Sequence, residues 1–344
     1  VSTVEKVRRR SRRLRAKGAV LAAVIAAVAA AGCSSTGGKR AEEERERAQA
    51  GGRSAVDTPR WKVAMVTHSG DGDTYWDIVR KGADQAAVKD NIEFLYEHDE
   101  AGGRQAQLVQ SMIDKDVDGL IVTLAKPDAM KQVVKKAVKA GIPVITINSG
   151  QDQSKEFGAL THIGQDENVA GEAVGTELNG RDRKKTLCVL HEQGNVGHEQ
   201  RCDGVGKTFE GKVEKLYVEG TNMPDVESSL TAKLQADDSI DSVITLGAPF
   251  AATAVKSVDQ AGSDAEIATF DLNAKVAAGL EDGSIGFAVD QQPYLQGYEA
   301  VDLMWLYRYN GDMLGGGQPV LTGPQILTKK DAPVLKKYTD RGTR

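Results

Sequence analysis

The stretch from Asp118 to Gly150 shows the chain's patterning at its clearest. An unbroken apolar run, Leu120 to Leu124, gives way to a short loop at Ala125-Lys126, and Pro127 opens a segment of different period. Met130, Val133, Val134, Ala137 and Val138 fall on one helix face, and Lys131, Lys135, Lys136 and Lys139 fall mostly on the other. Proline suits a first helical turn, where its missing N–H would have had no partner anyway. Gly141 ends the helix, and Ile142 to Ile147 is again apolar and rich in β-branched residues. Two fully apolar strands joined by an amphipathic helix predict a βαβ unit, hence a parallel sheet covered on both faces. Ligands of such sheets bind beyond the carboxyl ends of the strands. Here those ends are polar: Thr123 with Lys126, and Asn148-Ser149-Gly150.

The alternation continues in both directions. Further strands are predicted at Val63 to Thr67, Ile92 to Tyr96, Thr161 to Gly164, Thr186 to Leu190, Val213 to Val218, Ser242 to Leu246, Ile267 to Phe270 and Gly286 to Val289. Between them, helices are predicted from Tyr75, over Arg104 to Lys115, Asn168 to Leu178, Gln200 to Phe209 and Val226 to Leu234, from Phe250, and over Ala274 to Leu280. A long helix, Tyr294 to Tyr309, precedes a tail with short strands. Strictly alternating strands and helices define an α/β class with parallel sheets. About ten alternations are too many for one doubly wound layer and predict two similar domains.

The N-terminus is different in kind. Eight basic residues between Lys6 and Lys17 precede an uncharged run from Ala19 to Ala31, which ends in Gly32-Cys33. This is the arrangement of an export signal, and the apolar run is short for a bilayer span. Cys33 after Ala30-Ala31-Gly32 resembles the bacterial lipoprotein box, with Ala30 where Leu is commoner. The resemblance implies cleavage before Cys33 and a diacylglycerol on its sulfur, anchoring the chain to the outer face of the cell membrane. The alternatives are an ordinary secretory signal or a buried cysteine. Ser34 to Arg60 has glycine pairs, a Glu/Arg cluster and few large apolar residues, so it is expected to be a tether.

Residues 1–32 carry a surplus of seven positive charges, so their removal takes the formal charge from −5 to about −12. An acidic body without a basic patch argues against a nucleic-acid partner. Cys188 and Cys202, in an exported chain, are either a disulfide that restrains the loop between them or two buried thiols. No GxGxxG follows the first strand, and there is no Walker A sequence and no EF-hand loop. His68, His98, His162, His191 and His198 lack metal-ligand spacing and are expected at the surface or in loops, with no metal site. No nucleophile elbow or paired carboxylates stand out, so neither an enzyme nor a cofactor is expected.

From Trp61 to about Ala332 the chain resembles the ribose-type (class I) periplasmic sugar-binding proteins of ABC importers. The resemblance rests on Tyr75-Trp76, Asp118-Gly119-Leu-Ile-Val, Gly141-Ile142-Pro143-Val144-Ile145, His162-Ile-Gly-Gln-Asp166, Arg201-Cys-Asp-Gly204, Phe270-Asp271 and Asp290-Gln291-Gln292-Pro293-Tyr294, in that order. It implies two Rossmann-like lobes joined by three crossing strands and closing on a ligand. The lobes would be 61–164 plus 293–320 and 165–292 plus 321–344, after a signal at 1–32 and a tether at 33–60. It also implies ligand-binding roles for Tyr75 and Trp76 as stacking plates, and for Asn148, Arg201, Asp271 and Gln291 as rim contacts. Asn148 and Ser149 stand where ribose binders carry Asp and Arg, which argues against ribose itself. Asp73, Thr123, Lys126 and Asn222 are further candidates near the cleft.

These residue types suit a neutral polyol, which presents C–H faces to aromatic rings and hydroxyls to fixed polar groups. The expected function is capture of a monosaccharide or related polyol by lobe closure and delivery to an ABC permease, by a lipid-anchored monomer outside the cell. The alternative is a subunit presenting the same kind of ligand to a membrane sensor.

Overall fold

The computed structural model describes residues 56–70 and 73–344, so the expected signal, Cys33 and most of the tether lie outside the described residues. The chain runs β1 (Lys62–Thr67), α1 (Thr74–Lys89), β2 (Glu93–His98), α2 (Gly102–Asp114), β3 (Gly119–Thr123), α3 (Pro127–Lys139), β4 (Val144–Ile147), α4 (Gln151–Phe157) and β5 (His162–Gln165). It continues with α5 (Glu167–Gly180), β6 (Lys185–Leu190), α6 (Val196–Thr208), β7 (Lys212–Tyr217), α7 (Met223–Ala236), β8 (Ser242–Thr245), α8 (Ala248–Ala261), β9 (Glu266–Phe270), α9 (Ala274–Asp282) and β10 (Phe287–Asp290). The last elements are α10 (Pro293–Asn310), β11 (Val320–Gly323), β12 (Gln325–Leu327) and α11 (Ala332–Asp340).

Two six-stranded sheets result, in the orders β11-β5-β4-β3-β1-β2 and β12-β10-β9-β8-β6-β7. All pairings are parallel except that of β10 with β12. The chain passes between the sheets after β5, after β10 and between β11 and β12, so both belong to one two-lobed body crossed three times.

Each sheet is covered on both faces, as its continuous apolar strands require. In the first lobe one face packs Met65, Ile121 and Ile145 against α1 and α10, and the other packs Leu120, Val122 and Leu124 against α2 and α3. The second lobe repeats this with Val243 and Ile267 on one side and Ile244, Ala268 and Phe270 on the other. Among the described residues no apolar cluster extends from one lobe into the other. Separation of the lobes therefore exposes polar rather than core surface.

In each lobe two helices approach at glycines. A Cβ on Gly82 would stand 2.0 Å from the Tyr294 carbonyl oxygen, where α1 meets α10. One on Gly171 would stand 2.1 Å from the Arg201 carbonyl oxygen, where α5 meets α6. Cys188 of β6 and Cys202 of α6 form a disulfide, with the sulfurs 2.05 Å apart. It pins α6 to the sheet beside Arg201.

The sequence reading differs most from the structure at four helices. Helices α6 and α7 begin three to four residues earlier than their apolar periods suggest, because Asn195 and Asn222 cap polar first turns. Helix α4 escapes pattern reading because it buries only Ser154 and Phe157. Helix α11 lies in the tail read as strands, and it packs Leu335 against the second lobe.

Candidate functional site

The carboxyl ends of the strands of both sheets carry a facing set of polar side chains. Asn148 follows β4 with φ 63° and Asp271 follows β9 with φ 68°. Asn and Asp tolerate this left-handed backbone best among residues with a Cβ, and each turn swings its side chain off the strand axis. Gln291 follows β10 on the second crossing between lobes.

These three side chains form a continuous network. Asn148 Nδ2 donates to Gln291 Oε1 at 3.1 Å and to the Tyr75 hydroxyl at 3.0 Å. Gln291 Nε2 donates to Asp271 Oδ1 at 2.6 Å. The Tyr75 hydroxyl in turn donates to Gln296 Oε1 at 3.2 Å, and Gln296 Nε2 returns a bond to Gln291 Oε1 at 3.1 Å. Burial pushes Asp271 up to about 7, against the opposing pull of Arg201 and the Gln291 amide. Burial likewise raises Tyr75, helped by the charge on Asp271. A carboxyl poised in this way can accept from a hydroxyl or, protonated, donate to one.

Arg201 lies in the second turn of α6, on its buried side, rather than at the helix start. Its Nε and Nη2 donate to the two oxygens of Glu167 at 2.6 and 2.8 Å, and Nη1 donates to the Leu246 carbonyl at 3.1 Å. The guanidinium lies over the Phe270 ring at 4.6 Å. Burial works against its charge, but Glu167 outweighs burial and raises its pKa.

A second group of contacts ties the lobes directly. Lys126 Nζ of the first lobe pairs with Glu192 Oε1 of the second at 3.0 Å. Asn195 Nδ2 donates to Glu192 Oε2 at 2.7 Å, and His68 Nε2 lies 3.8 Å from the same oxygen. Burial alone would raise Glu192, yet His68, Asn195 and Lys126 together hold it below the usual carboxylate range. The Val196 amide donates to the Ala125 carbonyl at 3.0 Å, and Gln200 Nε2 to Asp152 Oδ2 at 2.7 Å.

The remaining sequence candidates divide. Trp76 is buried in the first lobe's core, edge-on to His68 at 5.0 Å and to Tyr75 at 5.1 Å. Asp73 caps α1 by accepting the Tyr75 amide at 3.0 Å, and burial pushes it up to about 6. Thr123 Oγ1 is committed internally, accepting from the His68 amide at 3.0 Å and Gln105 Nε2 at 2.9 Å. Its own proton then goes to His68 Nδ1 at 2.8 Å, which leaves the ring proton on Nε2, facing Glu192. Asn222 is exposed and caps α7, and no hydrogen bond joins it to the network.

Two histidines depart from expectation: His162 in β5 and His198 in α6 are buried inside elements, whereas His68, also buried, and His191 lie in loops. His191 stacks on Phe250 at 3.9 Å and meets His198 at 4.4 Å, at the strand ends of the second lobe. Burial pushes His191 down to about 3 and His198 well below its usual range, so both are neutral. Among the described residues no group of three or more His, Cys, Asp or Glu is disposed to hold a metal ion. Gln296, Glu167 and Glu192 also went unread. A lone Gln on the buried face of α10 was the available sign of the first, and the other two had none.

Two lobes hinged by three crossings, with a buried polar network at their facing strand ends, define a solute-binding protein of the closing-cleft type. Residues 63–311 match the model of the periplasmic binding protein domain, and the chain belongs to that family. It is a binding protein and not an enzyme. The xylose/arabinose-binding protein XylF of Sulfolobus acidocaldarius is 22% identical over 293 residues, covering 79% of this chain and 72% of its own. The ribose import binding protein RbsB of Bacillus subtilis is 24% identical over 231 residues, covering 65% and 74%. A carbohydrate transporter of Acidothermus cellulolyticus, solved in complex with myo-inositol, is 50% identical with a TM-score of 0.82, and the match covers 83% of this chain and 100% of that one.

Proposed function

We propose that this protein captures an uncharged cyclic polyol or monosaccharide between its lobes and delivers it to an ABC permease. The observation that carries the proposal is the Asn148–Gln291–Asp271 network, a set of donors and acceptors fixed at the mouths of both sheets and at the hinge. Such a set is complementary to a ring of hydroxyls, and Arg201 adds a planar fork suited to two vicinal oxygens. The half-identical carbohydrate transporter holds myo-inositol, which puts that cyclitol first among the ligands to try.

Closure follows from geometry. A solute that contacts both lobes binds the closed state better than the open one, and shifts the population by that difference. On this reading Tyr75, whose hydroxyl belongs to the polar network, serves the first lobe's side of the cleft, and Phe250 stacked on His191 serves the second. We read the mature chain as a monomer held at the outer face of the membrane by lipid on Cys33, with lobes near the boundaries 61–164 plus 293–320 and 165–292 plus 321–344. Titration calorimetry of the mature protein against myo-inositol, pentoses and hexoses tests the ligand class. At least one is expected to bind with micromolar or tighter affinity, and no heat from any of them would refute the reading. Loss of membrane association in a Cys33→Ala strain tests the anchor.

A further inference from the structure

Among the described residues Arg201 is the one buried arginine, and its charge is already answered. Of the five donors on a guanidinium, Nε, one on Nη2 and one on Nη1 are used by Glu167 and the Leu246 carbonyl, which leaves one N–H on each terminal nitrogen. Glu167 is heavily committed as well. Both its oxygens face Arg201, and Oε2 also accepts Gln165 Nε2 at 2.8 Å. Both partners are almost completely buried, so water does little to screen the pair.

Glu167 occupies a particular place in the fold. It is the first residue of α5, two residues past the end of β5, on the first crossing between lobes. Gln165, its other partner, ends β5 in the first sheet. The arginine that faces the cleft from the second lobe is therefore held by the crossing segment itself.

The consequence is a site that offers an arginine's donors without an arginine's net charge. Beyond Glu167, the groups that act most on Arg201 are Asp271 and Tyr75, neither of them cationic, and His191 and His198 nearby are held neutral by burial. A hydroxyl needs only the two spare N–H groups. A carboxylate or phosphate would need a surplus positive charge to offset its desolvation, and would meet Glu167 and Asp271 instead. We propose that Glu167 is the specificity-determining residue of this cleft: by pairing with Arg201 it both positions the guanidinium and cancels its charge, so that neutral polyols are admitted and anionic sugars and phosphates are rejected. The inference rests on the ligand class proposed above.

The test uses the mature full-length protein, wild type against Glu167→Gln and Glu167→Asp. Binding of myo-inositol is measured by calorimetry, and inorganic phosphate is scored by thermal shift at fixed ionic strength. Wild type is expected to bind myo-inositol and to show no phosphate-dependent shift. Glu167→Gln should lose at least tenfold in myo-inositol affinity and gain a phosphate-dependent rise in melting temperature, because Arg201 regains its charge. Glu167→Asp, which keeps the charge but shortens the reach, should lose polyol affinity and still ignore phosphate. A wild type stabilised by phosphate overturns the proposal, as does a Glu167→Gln protein with unaltered polyol affinity and no phosphate response. Should Glu167→Gln fail to fold, unchanged polyol affinity in Glu167→Asp overturns it equally. If wild type binds no polyol at all, it is the ligand class that fails, and the phosphate arm alone decides the role of Glu167.

Discussion

Asn148 and Gln291 lie 143 residues apart in the chain, yet the amide of one donates to the amide oxygen of the other at 3.1 Å. The first ends a strand of the first sheet, and the second sits where the chain crosses back from the second sheet. Their contact joins a lobe to its hinge. Any solute that inserts between them is sensed by both.

Replacing either with alanine should weaken ligand binding by roughly 1–3 kcal/mol, the cost of leaving a buried hydroxyl without its partner. The double variant should lose less than the sum, because the two share one network. Calorimetry on both singles and the double checks this, and unaltered affinity in all three would place the ligand elsewhere.

The Lys126–Glu192 pair bridges the lobes at 3.0 Å while both side chains remain partly exposed. Glu192→Gln should therefore cost the closed form on the order of 1 kcal/mol. In small-angle scattering without ligand, the variant is expected to be more extended than wild type. Raising the salt concentration should narrow that difference, since screening weakens the ion pair and leaves the amide untouched.

The Cys188–Cys202 bridge closes a short loop, with a sequence separation of 14. Reduction should lower stability by about 3 kcal/mol through the regained freedom of the unfolded chain. Because Cys202 adjoins Arg201 on α6, reduction should also weaken ligand binding. Thermal melts and calorimetry with and without reductant separate the two effects, and a melting temperature indifferent to reductant would contradict the first.

Asp271 binds its proton more tightly in the fold than in the unfolded chain, since burial raises it from 3.8 to about 7. A raised carboxyl favours the folded state at low pH, and that contribution is lost as pH climbs through the interval between the two values. Asp271→Asn cannot ionise and should escape the loss. Its stability relative to wild type, read from urea midpoints without ligand, should improve between pH 5 and pH 8 by on the order of 2 kcal/mol. A difference that does not change with pH would show that Asp271 is ionised throughout.

The site was legible only in part. Asn148 could be picked out because it interrupts the chain directly after an apolar strand, where parallel sheets present their ligands, whereas Asp271 and Gln291 were candidates through the family resemblance. Thr123 occupies the same kind of position, but its hydroxyl is taken up by His68 and Gln105. Asn222 has the spacing of a loop residue and serves as a cap instead. Periodicity cannot distinguish a polar group that waits for a ligand from one already satisfied within the fold.

The amino-acid sequence by itself determined the α/β class, the parallel sheets and most of the helices, because those follow from the local periods of apolar residues, which need no distant partner. Only the tertiary structure decided which strand ends meet. The pairing of Arg201 with Glu167, the bridge from Lys126 to Glu192 and the stacking of His191 on Phe250 all join segments far apart in the chain. Their energies come from desolvation and charge, which depend on what surrounds a group in space rather than on its neighbours in sequence.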